Sequence, residues 1–443
     1  MILMQKKFYI IVFLIVMSGV ANAQSYYMQM IDTTTDMGRK LVGICQNFGP
    51  LRFTGYVQPQ FQWAESKGAK TFEGIDFAPN SNNRFMMREN RLKAEYYYTN
   101  KANQLVSYMG FQLEATERGV AIRDMHLRLF ENKWRMFSIN AGMFNRPFSY
   151  ELNLSSADRE SPDRARMSQT LMRTERDIGA SITFEPRGYK TWFMNHIKAD
   201  VGVFNGEGLT ATTDFDSYKD IIGRVAIKPS RIEPLHMEIA AGTSVLYGAL
   251  GSQSPWVYST TADVVHGYAI KGDSTPNHVN EARPRHYYGA DVQIRFPSKK
   301  WATEIRGECI IGTQTAVATS SETPGTYPIN ATGIYQPLYT RPFNGAYFYF
   351  LQNIASSKHQ LVVKYDWFDP NSRVAGMQVS SAAGFSAADV RFQTLGIGYV
   401  YYANPHVKYM VYYDIVKNES TNVTGYTGDL KDNILTCRIQ YRF

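Results

Sequence analysis

Beyond its first two dozen residues the chain has no apolar run of the ~18 residues that a spanning helix needs, which excludes a helical membrane protein. Cysteine is scarce: Cys45, Cys309 and Cys437 are an odd number, and the last two fall on apolar positions of alternating stretches. They read as small hydrophobes, not as a disulfide framework. Neither Cys-x-x-Cys nor His-Glu-x-x-His occurs, and the eight histidines are scattered, so no metal or other cofactor is expected. Like charges never gather into a block, which argues against nucleic acid as a partner. No linker divides the chain, although 443 residues would ordinarily suggest two or three domains.

At the N-terminus, Lys6 and Lys7 precede the apolar run from Phe8 to Val16, and Ala21-Asn22-Ala23 puts small residues where a signal peptidase reads. Residues 1–23 are therefore expected to be a signal peptide. Removing it lowers Lys plus Arg from 47 to 45 against 39 acids, a mild excess of about +6. Residues 24–50 follow as a periplasmic segment, with a short amphipathic helix from Asp36 to Gln46.

The other end of the chain carries the fold signal. Leu435, Cys437, Ile439, Tyr441 and Phe443 are apolar, while Thr436, Arg438, Gln440 and Arg442 between them are polar. Period two is a strand, and this one stops flush with the chain on an aromatic residue. Apolar side to lipid and polar side to a wet lumen fits the closing strand of an outer-membrane barrel. The same alternation recurs from Phe53 onward and predicts sixteen strands over residues 51–443, an even number, as a single-chain bacterial barrel requires. Connections after even strands are short and rich in Asn, Pro, Lys and Ser. Those after odd strands are mostly long: Ala64 to Met87, Phe144 to Arg176, Gly248 to Arg285, Gly312 to Asn344, Asp369 to Arg391 and Lys417 to Asp432. The expected class is thus an all-β transmembrane antiparallel barrel in the bacterial outer membrane.

Several stretches carry a resemblance: Phe53-Thr-Gly-Tyr-Val-Gln-Pro-Gln-Phe, Arg91-Leu-Lys-Ala-Glu, Gly142-Met-Phe-Asn-Arg-Pro-Phe, Lys219-Asp-Ile-Ile-Gly-Arg-Val and Lys364-Tyr-Asp-Trp-Phe-Asp-Pro-Asn. In order and at barrel spacing, they resemble the phosphate-selective porins O and P. The resemblance implies a sixteen-stranded, often trimeric barrel whose third external loop folds inward, and an anion path along lumenal Arg and Lys. Phosphate is the family's name and is not shown by these residues. The third loop by count, Phe144 to Arg176, holds Arg146, Arg159, Arg164, Arg166, Arg173 and Arg176, against Glu151, Asp158, Glu160, Asp163 and Glu175. Guanidinium groups in a narrow constriction favour anions. Six bases against five acids also suit a salt-bridged plug that fixes the loop's shape. Alternation further places Arg91, Lys93, Arg128, Lys198, Arg224, Arg295, Arg306 and Arg438 on the lumenal face, among acids.

The function expected is an aqueous channel for small anionic or neutral solutes, modestly anion-preferring. Two alternatives stay open, an oligosaccharide-uptake barrel using lumenal Tyr56, Tyr97 and Tyr412, and an adhesion or surface-binding barrel. No enzyme is expected: His126 near Ser138 is the one candidate nucleophile pair, and polar pairs of this kind arise by default inside any wet lumen.

Overall fold

The computed structural model describes residues 50–443 apart from Glu73, Lys190 and Thr212. The expected signal peptide, the Asp36 to Gln46 helix and Cys45 lie outside the described residues. Twenty strand segments join in one sheet. In chain order they are β1 (Leu51–Val57), β2 (Pro59–Ala64), β3 (Asn83–Met87), β4 (Asn90–Thr99), β5 (Leu105–Thr116), β6 (Gly119–Phe130), β7 (Phe137–Asn145), β8 (Arg176–Phe184), β9 (Ile197–Phe204) and β10 (Asp220–Ile232). Then come β11 (Met237–Gly251), β12 (Trp256–Asp263), β13 (Gly267–Ser274), β14 (Ala282–Phe296), β15 (Thr303–Val317), β16 (Leu338–Ile354), β17 (Ser356–Asp369), β18 (Phe392–Tyr402), β19 (Val407–Asn418) and β20 (Ile434–Arg442).

β1 and β2 are one strand bent at Gln58, whose N–H leaves the ladder and donates to Asn90 Oδ1 at 2.7 Å. β3 and β4 are likewise one strand, interrupted at Arg88 and Glu89. With the β12–β13 hairpin set aside, sixteen strands make the wall. β20 closes it against the first strand, with Val57 opposite Tyr441 and Gln60 opposite Arg438. The wall pairings are antiparallel throughout.

The wall is inside-out relative to a soluble protein. Val201, Val225, Ile397, Val411 and Ile439 are exposed on its outer face, while Gln58, Gln62, Thr436 and Arg438 are buried within. Trp134, Trp192 and Trp301 stand exposed at the end that carries the short turns, where an aromatic belt meets the membrane interface. Pro229, which has no N–H to give, sits where the β10–β11 register slips between Ile227 and Ser230.

Each of the sixteen predicted strands is present, but several run further than their apolar pattern. β11 continues to Gly251 and β15 to Val317, where turns were expected at Gly248 and Gly312. The expected loop from Gly248 to Arg285 also contains the β12–β13 hairpin, which pairs in parallel with β16 at Val257–Leu338 and Tyr258–Tyr339. Above the apolar band no lipid face enforces alternation, so these extensions leave no period-two signal.

Candidate functional site

Between β7 and β8 the chain leaves the wall, and residues 146–175 fold into the lumen. Gly142, just before the departure, has φ +122, and a Cβ there would stand 2.4 Å from the Met125 carbonyl oxygen on β6. Only glycine permits that approach. One flank of the loop is apolar. Phe148, Leu152, Met167 and Leu171 are buried with Phe204, Ile222, Leu246, Tyr287, Ile310 and Phe343 of the wall. Burying a large apolar side chain contributes about 1.5–3 kcal/mol, so this flank holds the loop against one side of the barrel. The short helix α1 (Arg166–Leu171) continues that contact, with Met167 over Gly345.

The tip, Ser155 to Asp163, crosses to the opposite wall and is held by polar groups. Tyr56 and Ser156 share a hydroxyl–hydroxyl bond of 2.6 Å, and Gln58 Nε2 donates to the Ser156 carbonyl at 3.1 Å. Lys408 Nζ donates to the carbonyls of Ala157 at 2.8 Å and Arg159 at 3.0 Å, and Gln440 Nε2 reaches Ala157 at 3.1 Å. Arg306 grips Glu160 with two bonds of 2.7 and 2.9 Å, and Arg88 does the same to Asp163 at 2.9 Å.

The return leg converges on Glu175. Its carboxylate meets Arg123 at 2.8 Å, Arg91 at 3.2 Å, Arg164 at 3.4 Å and the adjacent Arg176. Burial alone would raise the Glu175 pKa; Arg164, Arg123, Arg176 and Arg91 outweigh it and hold the carboxyl well below the ordinary range. Arg166 lies between the rings of Phe392 and Phe72, 3.8 and 4.1 Å from their centroids. Burial draws its pKa down to about 10, which leaves it charged at neutral pH.

Most of the predicted cations are partnered by acids. On the loop, Arg146 lies 4.0 Å from Asp177, Arg159 pairs with Glu89 at 3.1 Å, and Arg164 with Glu175. Arg176 opens β8 instead of ending the loop and pairs with Asp124 at 2.6 Å. Arg173 departs from the constriction: its side chain is 62% exposed and meets Glu322 of the β15–β16 loop. On the wall, Lys93 pairs with Glu95, Arg128 with Glu185, Lys198 with Asp200 and Arg224 with Asp291. Arg91 and Arg306 are bound up with the loop's acids, and Arg438 donates to Gln60. Arg295 lies at the short-turn mouth, 54% exposed beside Glu238, because β14 ends one residue later. The salt-bridged plug therefore describes the loop better than a row of free guanidinium groups. His126 and Ser138 do not form a pair: His126 bonds Asn140 at 2.7 Å, while the Ser138 hydroxyl accepts from Arg128 at 2.9 Å.

Under the loop, on the β4–β10 side, a cavity of about 580 Å³ opens toward the short-turn end. Its charged lining is Lys93, Arg128, Lys198 and Arg224 against Glu95, Asp124 and Asp200. Tyr97 faces this space, whereas Tyr56 and Tyr412 are covered. Sequence reasoning missed Arg88, Glu89, Arg123 and Lys408. Lys408 was legible, since it alternates with the outward Val407 and Tyr409 on β19. Arg88 and Glu89 were not, because they occupy the break between β3 and β4 where the register is lost.

The architecture is a porin-type fold: a closed sixteen-stranded antiparallel barrel with an inward loop. The chain overlaps the anion-selective porin from Comamonas acidovorans with a TM-score of 0.54 at 11% identity, over 89% of this chain and 99% of that one. Looser overlaps include outer-membrane expressed OmpT of Vibrio cholerae (TM-score 0.45, 8% identity, 89% and 97% of the two chains). A triple mutant of the Rhodopseudomonas blastica porin overlaps with a TM-score of 0.46 at 9% identity, over 89% and 100%. At these identities the likeness concerns the fold. No family model matches the sequence, and no curated protein matches it.

Proposed function

We propose that this chain is a channel of the bacterial outer membrane that passes small hydrophilic solutes by diffusion, with a modest preference for anions. The observation that carries this is the inverted barrel, apolar outside and polar inside, whose lumen the inward loop narrows without filling. Phosphate is among the candidate solutes through the resemblance to the phosphate-selective porins O and P, and so is assembly as a homotrimer in the lipid. The sign of the preference follows the mild positive excess and the cavity's four bases against three acids. Its modest size follows from the pairing of most lumenal cations, since a partnered guanidinium presents little net field to a passing ion. Oligosaccharide uptake is less well supported, because of the three tyrosines expected to carry it Tyr56 and Tyr412 are covered, and only Tyr97, with Tyr108 beside it at 5.0 Å between ring centroids, faces the cavity.

Planar-bilayer recording tests the proposal. Steady ohmic openings are expected; a barrel that stays closed would favour a surface-binding role. Under a KCl gradient the reversal potential should take the sign of anion preference and shrink as salt rises, because the Debye length is only ~10 Å at 0.1 M. Changing Arg159, Arg164 and Arg166 together to Ser leaves three arginines, Arg146, Arg173 and Arg176, against five acids between Phe144 and Arg176 and should reverse the sign. A cation-preferring parent would overturn the anion assignment.

A further inference from the structure

The loop between β9 and β10, residues 205–219, lies at the long-loop rim and has no part in the channel as described. Its two limbs bring Glu207, Asp214 and Asp216 together, with a carboxylate oxygen of each within 4.8 Å of the other two. Glu207 is only 5% exposed, and its Oε2 has no hydrogen-bond partner. The two aspartates are aimed by the backbone. Asp214 Oδ1 accepts from the N–H of Ser217 at 3.1 Å, and Asp216 accepts from Tyr218 at 2.9 Å and Gly251 at 2.7 Å. Of the three acids Lys219 pairs with Asp214; it also donates to the Tyr218 carbonyl at 3.4 Å and is partly exposed.

A buried carboxylate oxygen without a partner is costly, and three carboxylates at this separation repel one another. One group relieves both costs: a divalent cation held by all three. We propose that Glu207, Asp214 and Asp216 form a Ca2+ site at the channel rim. Three carboxylates without histidine or thiol form a hard, all-oxygen donor set that suits Ca2+ and does not favour zinc, and water would complete the shell.

The placement gives the ion a mechanical role. Beside Glu207, Gly206 N–H donates to Asp177 on β8 at 2.8 Å, and Leu209 N–H donates to Thr174 of the inward loop at 2.9 Å. Between the two aspartates, Phe215 stacks edge-on against Tyr327 of the β15–β16 loop, 5.6 Å between centroids. A bound ion would staple the limb that touches the inward loop to the limb that touches the rim.

The test is calorimetric titration of CaCl2 into folded full-length protein in detergent, after EDTA treatment and dialysis at pH 7.5. One ion per chain is expected, with a Kd of about 10⁻⁴–10⁻³ M, the range of extracellular calcium modules. Glu207→Gln should weaken binding at least tenfold. Since Glu207 Oε2 makes no hydrogen bond, that variant should keep the heat-modifiable gel mobility of a folded barrel. Lys219→Ala, which removes the competing ammonium, should tighten binding several-fold, and it supplies a second arm if Glu207→Gln fails to fold. Absence of stoichiometric Ca2+ binding, or equal binding by the parent, Glu207→Gln and Lys219→Ala, would overturn the site.

Discussion

The wall and the inward loop are ordered by different means. In β18, Leu395, Ile397 and Tyr399 face out and Thr394, Gly396 and Gly398 face in, a pattern set by neighbours two residues apart. The loop has no period. It is placed by partners far away in sequence: Glu89 is 70 residues from Arg159, and Arg306 is 146 residues from Glu160. A structure built on a local rule loses little when one position changes within the rule. One built on distant pairs loses a whole anchor with each partner.

The sharpest break of this contrast is Glu175→Gln. Arg91, Arg123, Arg164 and Arg176 would be left around a neutral amide, and breaking a buried pair costs about 3–5 kcal/mol. The cost should fall on the loop. Noisier, larger conductance is expected with the wall's heat resistance kept; a barrel that no longer assembles would show that loop and wall are one cooperative unit. Next in size is the wall. Ile397 is the central residue of β18 and faces outward, so Ile397→Arg should cost roughly 2–4 kcal/mol. The same change at Ile439, near the short-turn end of β20, should cost roughly 0–1 kcal/mol. Urea midpoints in lipid would measure the gradient, and equal losses at both positions would place the membrane band wrongly.

A smaller effect is expected at Lys408→Met. It removes the donor to two buried carbonyls of the loop tip, a loss of about 1–3 kcal/mol of local anchoring. Faster proteolysis within Ser155 to Asp163 would report it. Smallest is a pH effect. Burial, reinforced by Asp429 and opposed by Arg166, raises the Asp432 carboxyl to about 7. As pH falls through that value Asp432 takes up a proton, and the space it shares with Arg164, Arg166 and Lys364 becomes more positive. Anion preference should therefore rise modestly between pH 8 and pH 6, and Asp432→Asn should flatten the response.

The wall was legible because a single face can be read from every second residue, as Leu435, Cys437, Ile439 and Tyr441 show. Even so, β15 looked shorter than it is, since Gly312, Thr313, Gln314 and Thr315 have no lipid to face. In the loop the charges could be counted but not paired. Nothing local distinguishes Arg159, sealed against Glu89, from Arg173, which turns to the rim and meets Glu322. The Glu207, Asp214 and Asp216 cluster was invisible for the same reason: six intervening residues separate Glu207 from Asp214, and only the loop's turn closes that gap.

The seat of the loop tip also fixes an order of events. Ser156 and Ala157 rest on Gln58 from the first strand and on Gln440 from the last. Until the two ends of the chain have met, that seat does not exist. The tip can take this seat only after the wall has sealed, so an unclosed barrel caught during insertion would carry a tip held by Arg306 and Lys408 but not by both glutamines. Protection of the tip from protease therefore serves as a clock for closure.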